Sequence, residues 1–359
     1  MTTIGISRSE ILAWLREEDE DQLRTLWQRA DAVRRESVGD EVHLRGLVEF
    51  SNRCARTCTY CGLRAPNRRV VRYMMDENEI MACVREAVAL GYGTAVLQGG
   101  EDDEMGRDWV SVLVRRIKAE TPLAVALSLG ERCEADLTAW REAGADRYLL
   151  KFETSNRHMF RRIHPPLHGR AADRIGTLRM LRELGYEVGS GVMVGLPGQS
   201  CEDLADDVEL FARLDLDMVA IGPYVLHPAT PLGRLALRLR EGGDDPTQHA
   251  ALMTYKVLAL ARIVCPRANM PSTTALAAVD PSRGRELGLL RGANVIMVNL
   301  TPAAYRAHYD IYPSRASGLE SHEELIRRIL ALGRKPGRGR GNSPAHVERE
   351  MISSPHRRT

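Results

Sequence analysis

Short apolar runs of strand-like composition alternate with amphipathic helical patterns along most of this chain. The apolar runs occupy residues 44–50, 94–98, 123–129, 147–151, 188–194, 218–222, 269–273 and 295–299. Helical periodicity separates most of them, at residues 76–90, 109–119, 135–143, 172–184, 201–214 and 249–264. Alternation of this kind predicts a parallel sheet, because parallel neighbours in a sheet need a crossover that is usually a helix.

Three of the helical patterns end in a glycine that leads directly into the next apolar run, namely Gly91, Gly144 and Gly185. Glycine is the residue expected just past a helix end, where the backbone takes a left-handed conformation. Eight strand candidates in one continuous alternation favour an α/β fold of the closed (βα)8 TIM-barrel type. An open doubly wound sheet is the alternative, because it has the same alternation of strands and helices.

The two ends of the chain differ from this central pattern. Residues 7–38 have the periodicity of two amphipathic helices, and Ser7 and Glu10 have the spacing of a capping box. The last residues are rich in Gly, Pro and Arg and lack an apolar face, which predicts disorder. The expected organisation is an N-terminal helical segment at 1–40, a barrel at 41–333 and a disordered basic tail at 334–359.

Composition and charge narrow the class of protein. The chain has 359 residues, of which 44% are hydrophobic and 27% charged, so it can bury a large core. Its net charge is only +2, with basic residues spread among acidic ones, which argues against a nucleic-acid partner. No apolar run is long enough for a membrane span, and acidic residues stand where a signal peptide would be apolar. We therefore expect a cytoplasmic protein that does not contact a membrane.

Three of the seven cysteines form the motif Cys54-x3-Cys58-x2-Cys61, directly after the first apolar run. Three thiolates can hold three irons of a 4Fe-4S cluster and leave the fourth iron open to a ligand. A structural zinc site is the alternative, but it needs four ligands, usually as two pairs, and the other four cysteines are isolated in the sequence. Buried cysteines without a metal are the third interpretation.

Polar groups and glycines recur where the other strands end. In a parallel barrel these positions share one rim with the cysteine motif, so they are candidates for ligand binding. Glycines allow a backbone to approach a ligand closely, and a carboxylate can receive an ammonium group. The candidates at strand ends are Gly99, Gly100, Glu101, Ser128, Lys151, Glu153, Thr273 and Thr274, and Arg174, early in a helix, is a further candidate.

Several of these residues also have a purely structural interpretation. Glu153 can cap the helix that follows it instead of binding ligand hydroxyl groups. Arg174 can be a solvated surface residue instead of a partner for a ligand carboxylate. Thr273 and Thr274 can end a strand in a turn instead of holding an anion. Three histidines in proline-containing loops are expected to be surface groups: His164, His168 and His227.

The cysteine spacing, with Tyr60 before the last cysteine, resembles the radical S-adenosylmethionine (SAM) superfamily. Longer motifs resemble the branch that contains the HydE maturases of iron-iron hydrogenase, near biotin synthase and methylornithine synthase. These motifs lie within residues 48–64, 143–150, 193–199, 217–223, 227–232, 271–275, 292–297 and 332–337. The resemblance covers most of residues 40–337. It implies a full barrel and anaerobic radical chemistry that depends on SAM.

Position by position, the resemblance implies that Cys54, Cys58 and Cys61 ligate one 4Fe-4S cluster and that SAM chelates the open iron. The reduced cluster would then cleave the S–C5′ bond of SAM to give a 5′-deoxyadenosyl radical. The residues expected to bind SAM are Tyr60 at the adenine, Gly99, Gly100 and Glu101 at the amino group, Glu153 at the ribose, Arg174 at the carboxylate, and Ser128. The residues expected near the substrate are Lys151, Thr273, Thr274, Tyr309 and Tyr312.

Two departures from the family pattern bear on substrate and cofactor. The family commonly has Arg-His before the glutamate that ends the fourth strand, whereas this chain has Lys151-Phe152. We expect that change to fall at the substrate. Members with an accessory second cluster have cysteines after the position of Tyr312-Pro313, and this chain has none there. One cluster is therefore expected.

The resemblance implies a small anionic substrate, either a free molecule or an iron-bound synthon, in hydrogenase assembly. It also implies a low-potential electron donor and other hydrogenase maturases as partners. Two other functions remain open at this point. One is a methylornithine synthase-like mutase that acts on an amino acid, and the other is a protein that only carries an iron-sulfur cluster.

Overall fold

The computed structural model describes residues 5–102, 104–169, 171–243, 249–313 and 321–353. Its strands are β1 (Glu41–Ser51), β2 (Thr94–Gly99), β3 (Ala124–Ser128), β4 (Arg147–Leu149), β5 (Glu187–Val194), β6 (Met218–Pro223), β7 (Val295–Asn299) and β8 (Lys335–Pro336). All strand pairs are parallel, in the order β6-β5-β4-β3-β2-β1-β7, with β8 beside β1. The predicted alternation of strands and helices is thus confirmed.

The helices between and around the strands follow the same order along the chain. They are α1 (Arg8–Arg16), α2 (Glu20–Val38), α3 (Glu77–Ala89), α4 (Arg107–Glu120), α5 (Glu134–Glu142), α6 (Arg157–Ile163), α7 (Arg174–Glu183), α8 (Cys201–Arg213), α9 (Pro231–Glu241), α10 (Ala250–Val264), α11 (Thr274–Val279), α12 (Gly284–Leu290), α13 (Ala303–Arg306), α14 (His322–Ala331) and α15 (Pro344–Ser353). Within the described ranges, none of them is long and apolar enough to cross a membrane.

The sheet curls into a barrel through a segment that is not a continuous strand. Residues 269–273 were predicted to form the seventh strand, but they pair only through isolated parallel bridges, Met218 with Asn269 and Pro271 with Val295. Val219 N donates to Asn269 O at 2.9 Å on the β6 side. Because β7 pairs with β1 on its other side, this segment joins the two ends of the sheet. The closed barrel is therefore favoured over an open doubly wound sheet.

The turns from helix to strand follow the predicted chemistry. Gly91, Gly144 and Gly185 each come just after a helix end and have φ values of 74°, 106° and 81°. A residue with a Cβ adopts such a conformation only at a cost in free energy, so glycine permits these short connections. Each connection feeds the next strand into the sheet.

The N-terminal helices pack on the outside of the barrel. The predicted capping box is present, with Ser7 N donating to Glu10 Oε2 at 2.8 Å. α1 packs against α8 and α10, and α2 packs against α10. The buried faces of these two helices extend the core that lies between the sheet and its outer helices.

The predicted disorder of the C-terminal tail is wrong for residues 334–353. β8 pairs in parallel with the start of β1, and α15 follows it. Between β8 and α15, the backbone carbonyl groups of Arg340 and Gly341 bind to residues at the amino-terminal end of the barrel. Thr94 Oγ1 donates to Arg340 O at 2.9 Å, and Asn269 Nδ2 donates to Gly341 O at 3.0 Å. Residues 354–359 of the predicted tail lie outside the described residues.

Polar side chains inside the barrel explain why this segment is ordered without an apolar face of its own. Arg147 Nη2 donates to Arg340 O at 2.9 Å and to Asn342 Oδ1 at 2.7 Å. Glu187 Oε1 accepts a hydrogen bond of 2.9 Å from Ser343 N. Gly93 contacts the segment so closely that an added Cβ would lie 1.6 Å from a carbonyl oxygen. This segment is held by hydrogen bonds to buried side chains. The periodicity of the sequence gives no sign of such bonds.

The interior of the barrel is layered along its axis. An apolar layer of Leu47, Val96 and Ala126, with Met297 packed against it, crosses the barrel between β1, β2, β3 and β7. Since Leu47 and Met297 also line the cavity at the carboxyl ends of the strands, this layer forms the floor of that cavity. The site described below lies above it.

Candidate active site

A cavity of about 260 Å³ opens at the carboxyl ends of the strands. Side chains or backbone from six elements of the barrel meet around it. It brings together seven of the predicted site residues: Tyr60, Cys61, Lys151, Glu153, Thr273, Thr274 and Tyr312. The remaining predicted residues lie outside its lining. This is the rim at which a parallel barrel places its reactive groups.

The cysteine loop, residues 54–61, is tied by backbone hydrogen bonds to other loops of the same rim. Thr59 N donates to Ile163 O at 2.8 Å, and Leu232 N donates to Thr59 O at 2.9 Å. The first bond joins the loop to the end of α6, and the second joins it to the start of α9. These bonds hold in one conformation a loop that has no secondary structure of its own.

Gly100 lets the turn after β2 contact this loop directly. A Cβ at Gly100 would lie 2.0 Å from Arg53 O and 2.8 Å from the Cβ of Cys54. Ala55 N donates to Glu101 O at 2.7 Å. The glycine is required here by the close contact between two backbones, whatever ligand the site binds.

The three thiols of the motif lie in a desolvated setting. Cys58 is buried, and Cys54 and Cys61 are partly buried. Burial raises the pKa of Cys54 and Cys58 above the usual thiol value, and burial with the nearby Cys54 raises the pKa of Cys61 to about 12. Such thiols stay protonated unless a bound cation stabilises the thiolate. Iron provides that positive charge, so the donor set fits a metal cluster.

No three His, Cys, Asp or Glu side chains of the described residues converge closely enough to ligate a single metal ion. In a 4Fe-4S cluster each thiolate binds a different iron, so its ligands surround a volume instead of meeting at one point.

His164 is buried against the motif, so the prediction that it is a surface group is wrong. Its Nδ1 lies 2.9 Å from the Sγ of Cys58. On the other side of the ring, Nε2 lies 3.1 Å from Arg174 Nη2 and 3.2 Å from Glu131 Oε1. A thiolate bound to iron can only accept a hydrogen bond, so His164 would then carry its proton on Nδ1 and accept from Arg174 at Nε2.

Arg174 begins α7 and its side chain is only 9% exposed, which excludes the solvated surface arginine. Its Nε donates to Glu131 Oε1 at 3.1 Å, and its Nη1 donates to Lys151 O at 2.5 Å. Nη1 also lies 3.5 Å from Glu153 Oε1. A guanidinium group has five N–H donors, so with the contact of Nη2 to His164 one N–H remains for a ligand carboxylate.

Glu131 and Arg56 link this network to the turn after β2. Arg56 Nε pairs with Glu101 Oε1, and Arg56 Nη2 lies 3.3 Å from Glu131 Oε2. Glu101 Oε2 accepts from the Glu131 backbone N–H at 3.1 Å. Both oxygens of Glu101 thus have protein partners, and burial raises its pKa. Its contact with the SAM amino group stays a prediction.

Glu153 points into the cavity from the end of β4. Its Oε1 accepts from Tyr60 OH at 3.3 Å, and its Oε2 lies 3.1 Å from Lys151 Nζ. The helix-cap interpretation is wrong, because Asn156 caps α6. Glu153 also has a φ of 64°, an uncommon conformation for a residue with a Cβ, of the kind that is concentrated at functional sites.

Phe152 points away from the cavity, so the expected change at the substrate is wrong for this residue. It is 2% exposed and its ring lies 5.5 Å from that of Phe211 on α8. Its neighbours Lys151 and Glu153 line the cavity instead. The alternation of side chains along an extended segment places Phe152 in the core between sheet and helices.

The far wall of the cavity contains the threonine and tyrosine candidates. Thr273 caps α11 and its Oγ1 also donates to Ile221 O at 3.3 Å, so its side chain has a structural role at the start of this helix. Thr274 Oγ1 and Tyr312 OH lie 2.9 Å apart. Tyr309 is buried beside the cavity and its OH accepts from Gln98 Nε2 at 3.1 Å.

Ser128 ends β3 and pairs with Gln98 in the sheet, and Gly99 ends β2. The structure places both residues on the rim but outside the cavity lining. His227 is buried, which also corrects its prediction as a surface group, and its Nε2 lies 3.1 Å from Asp310 Oδ2. His168 is exposed as expected.

Sequence reasoning did not identify three members of this site: Arg56, Glu131 and His164. Glu131 follows β3 at the active rim, so its position at a strand end was a usable signal. Arg56 lies between two cysteines of the motif, but spacing alone does not show that it is buried. The position of His164 depends on α6 and its fold against the cysteine loop, which no local pattern reveals.

Comparison with known proteins agrees with this geometry. The model of the radical SAM superfamily matches residues 48–211. The iron-iron (FeFe) hydrogenase maturase subunit HydE of Thermotoga maritima is 45% identical over 320 residues, which cover 88% of each chain. The 3-methylornithine synthase of Methanosarcina acetivorans is 25% identical over 92% of this chain and 90% of that protein.

Solved structures show the same fold. The crystal structure of methylornithine synthase superposes with a TM-score of 0.78 and 23% identity, covering 98% of this chain and 100% of that one. The hydrogenase maturase HydG superposes with a TM-score of 0.76 and 19% identity, covering 93% of this chain and 73% of that one. The chain belongs to the radical SAM superfamily of enzymes, in its HydE-like branch.

Proposed function

We propose that this enzyme binds one 4Fe-4S cluster through Cys54, Cys58 and Cys61 and acts as a maturase in the assembly of the iron-iron hydrogenase active site. The observation that carries the proposal is the 45% identity to a HydE subunit over 88% of the chain. The two 3-methylornithine synthases are 25% and 27% identical, so a mutase is not favoured. The cavity beside the motif supports an enzyme over a cluster carrier, which needs no such space.

Cys54, Cys58 and Cys61 would hold the cluster, which when bound would supply the electron for reductive cleavage of SAM. The residues of the chain would orient SAM and exclude water. Glu153 would accept hydrogen bonds from the ribose hydroxyls, and Arg174 would donate to the SAM carboxylate. Tyr60, which already donates to Glu153, would pack beside the adenine.

The substrate we propose is small and anionic. Lys151 Nζ, which lies 3.1 Å from Glu153 Oε2, places a positive charge on the cavity wall, and Thr274 with Tyr312 presents hydroxyl groups that can donate to an anion. A volume of about 260 Å³ limits the combined size of the substrate and the reactive part of SAM. An amino-acid-sized substrate, free or bound to iron, satisfies both limits.

The test is an anaerobic assay of the reconstituted enzyme. With dithionite, it should form 5′-deoxyadenosine and methionine from SAM and contain about four irons per chain, as one cluster requires. The triple variant Cys54→Ala, Cys58→Ala and Cys61→Ala should lose both properties, whereas Cys133→Ala, which changes an exposed cysteine outside the motif, should keep them. Iron retained by the triple variant would contradict the assignment of the ligands.

The physiological role needs a second assay. Added to a hydrogenase maturation mixture that lacks HydE, the enzyme should restore hydrogen evolution in the presence of the partner maturases. Formation of a rearranged amino acid from lysine without any hydrogenase activity would instead support the mutase. The two outcomes separate the proposal from its alternative.

A further inference from the structure

Arginines surround the cysteine loop although the chain as a whole is nearly neutral. Between residues 50 and 75 the sequence has six arginines and neither Asp nor Glu. Residues 154–172 and residues 218–240 also contain arginines without any Asp or Glu. In a chain with 50 basic and 48 acidic residues, three such segments represent a strong local separation of charge.

The fold brings these three segments together. Thr59 N bonds to Ile163 O, which joins the first segment to the second, and Leu232 N bonds to Thr59 O, which joins the third. The three segments are thus joined by backbone hydrogen bonds at the cysteine loop.

Several of the arginines on this surface are available to a partner. Arg68, Arg69, Arg157 and Arg161 are exposed, and within the described ranges none of them forms an ion pair with a carboxylate. Arg69 also lines a surface depression of about 390 Å³. The one carboxylate that lines this depression is Asp310, which lies against His227. We name the set Arg68, Arg69, Arg157 and Arg161 the arginine surface.

We propose that the arginine surface docks an acidic protein that carries a low-potential one-electron redox centre. The inference rests on the proposed function, because reductive cleavage of SAM consumes one electron per event, and the four cysteines outside the motif are isolated in the sequence, so they form no second cluster motif that could supply it. In the docked complex the donor centre loses one electron and the cluster gains it, and no covalent bond forms or breaks at the surface. Opposite charge speeds encounter and favours this class of partner over neutral proteins.

The location of the surface supports this class of partner over others. Arg53 is exposed and Thr57 and Thr59 are half-buried, so the cysteine loop reaches the molecular surface beside these arginines. A transient, salt-sensitive contact lets the donor leave after each transfer.

The test uses reconstituted holoenzyme and an acidic bacterial ferredoxin as the probe. In the variant Arg68→Glu with Arg69→Glu, the Kd for oxidised ferredoxin and the KM for reduced ferredoxin in SAM cleavage should each rise about tenfold or more at low salt. Added salt should shrink the difference, since it screens exposed charges beyond a Debye length of about 8 Å at 0.15 M. Arg68→Lys with Arg69→Lys should restore most of the affinity.

A matched control variant changes the net charge by the same amount at two arginines outside the arginine surface. Arg115 and Arg179 are exposed and lie in the second halves of α4 and α7, toward the opposite end of the barrel. Arg115→Glu with Arg179→Glu should leave both constants unchanged. Cleavage driven by titanium(III) citrate should be equal in all variants, which shows that the active site is intact.

If the Kd and the KM for ferredoxin are unchanged in the variant Arg68→Glu with Arg69→Glu, the proposed docking surface is wrong. It is also wrong if both constants rise equally in the control variant Arg115→Glu with Arg179→Glu. The same holds if a mixed-sequence RNA binds through these arginines while ferredoxin binding is unaffected. Absence of SAM cleavage with the chemical reductant would instead refute the proposed function. The Kd measurement still decides the docking surface in that case, because it requires no turnover.

Discussion

His164 Nδ1 lies 2.9 Å from the Sγ of Cys58, although 106 residues separate them in sequence. The opposite ring nitrogen of His164 lies beside Arg174 and Glu131, and Glu131 also lies 3.3 Å from Arg56 of the cysteine loop. A hydrogen bond to a metal-bound thiolate stabilises negative charge on the sulfur and orients the ligand. His164 is therefore a positioning residue that couples the proposed cluster to the residues proposed to bind SAM.

Replacing His164 should make the proposed cluster harder to reduce. The reduced cluster is the more negative state, so removal of a donor to Cys58 destabilises it more than the oxidised state and shifts the reduction potential to a more negative value. His164→Leu should show this shift in a redox titration followed by EPR, with iron content retained. His164→Asn, which keeps an N–H donor, should recover part of it, and exposed His158→Leu should change nothing. If the reduction potential is unchanged in His164→Leu, His164 does not stabilise the reduced cluster through Cys58 and has only a packing role.

Removing the carboxylate of Glu153 should weaken SAM binding without loss of the cluster. Hydrogen bonds to a charged acceptor contribute about 1–3 kcal/mol, so Glu153→Ala should raise the Kd for SAM roughly tenfold to a hundredfold. Equilibrium binding to the reconstituted enzyme measures this, with Glu183→Ala as the control because Glu183 is exposed on the outer face of α7. If the affinity is unaltered, Glu153 serves only to hold Tyr60 and Arg174.

Converting Phe152 to the histidine common in the family should reduce stability and leave substrate use unchanged. Phe152 is buried against Phe211, and a polar ring without a partner costs about 1–3 kcal/mol there. Denaturant unfolding of Phe152→His measures the loss. Lys151→Arg, which changes the side chain that lines the cavity, is the companion variant and should alter the KM for the substrate. A new product with Phe152→His would show that this ring reaches the substrate.

Asp207 should make the fold less stable as pH rises from about 4 to about 7. Burial raises the pKa of Asp207 to about 7, and its Oδ2 has no hydrogen-bond partner in the structure. The unfolded chain releases the proton near pH 4, whereas the folded chain keeps it until about pH 7, so the stabilising contribution is complete below pH 4 and is lost across this window.

The free energy of unfolding measured from pH 4 to pH 8 tests this sign. Asp207→Asn, which keeps an acceptor for the 2.5 Å bond from Ser155 N, should flatten the profile and be more stable than the unmodified protein at pH 8. Glu183→Gln, which removes one charge at an exposed residue of α7, is the control for a change of net charge. A profile that is the same with and without Asp207→Asn would refute the raised pKa.

The sequence by itself determined the features that depend on neighbours along the chain. Strand and helix periodicity, together with Gly91, Gly144 and Gly185 at helix ends, predicted the barrel, because amphipathic patterns and left-handed turns are local properties. The spacing of Cys54, Cys58 and Cys61 after the first strand indicated the site in the same way, since the motif lies within one loop.

Only the tertiary structure decided which side of each segment faces the cavity and which distant residues meet. Phe152 follows a cavity residue in sequence but packs outward, because successive side chains of an extended segment point to opposite faces. His164 meets Cys58, and residues 339–343 are ordered by arginine and asparagine side chains of distant strands, through contacts that periodicity does not encode. The arginine surface likewise arises from three segments that are far apart in the sequence, so its charge is visible only once the chain has folded.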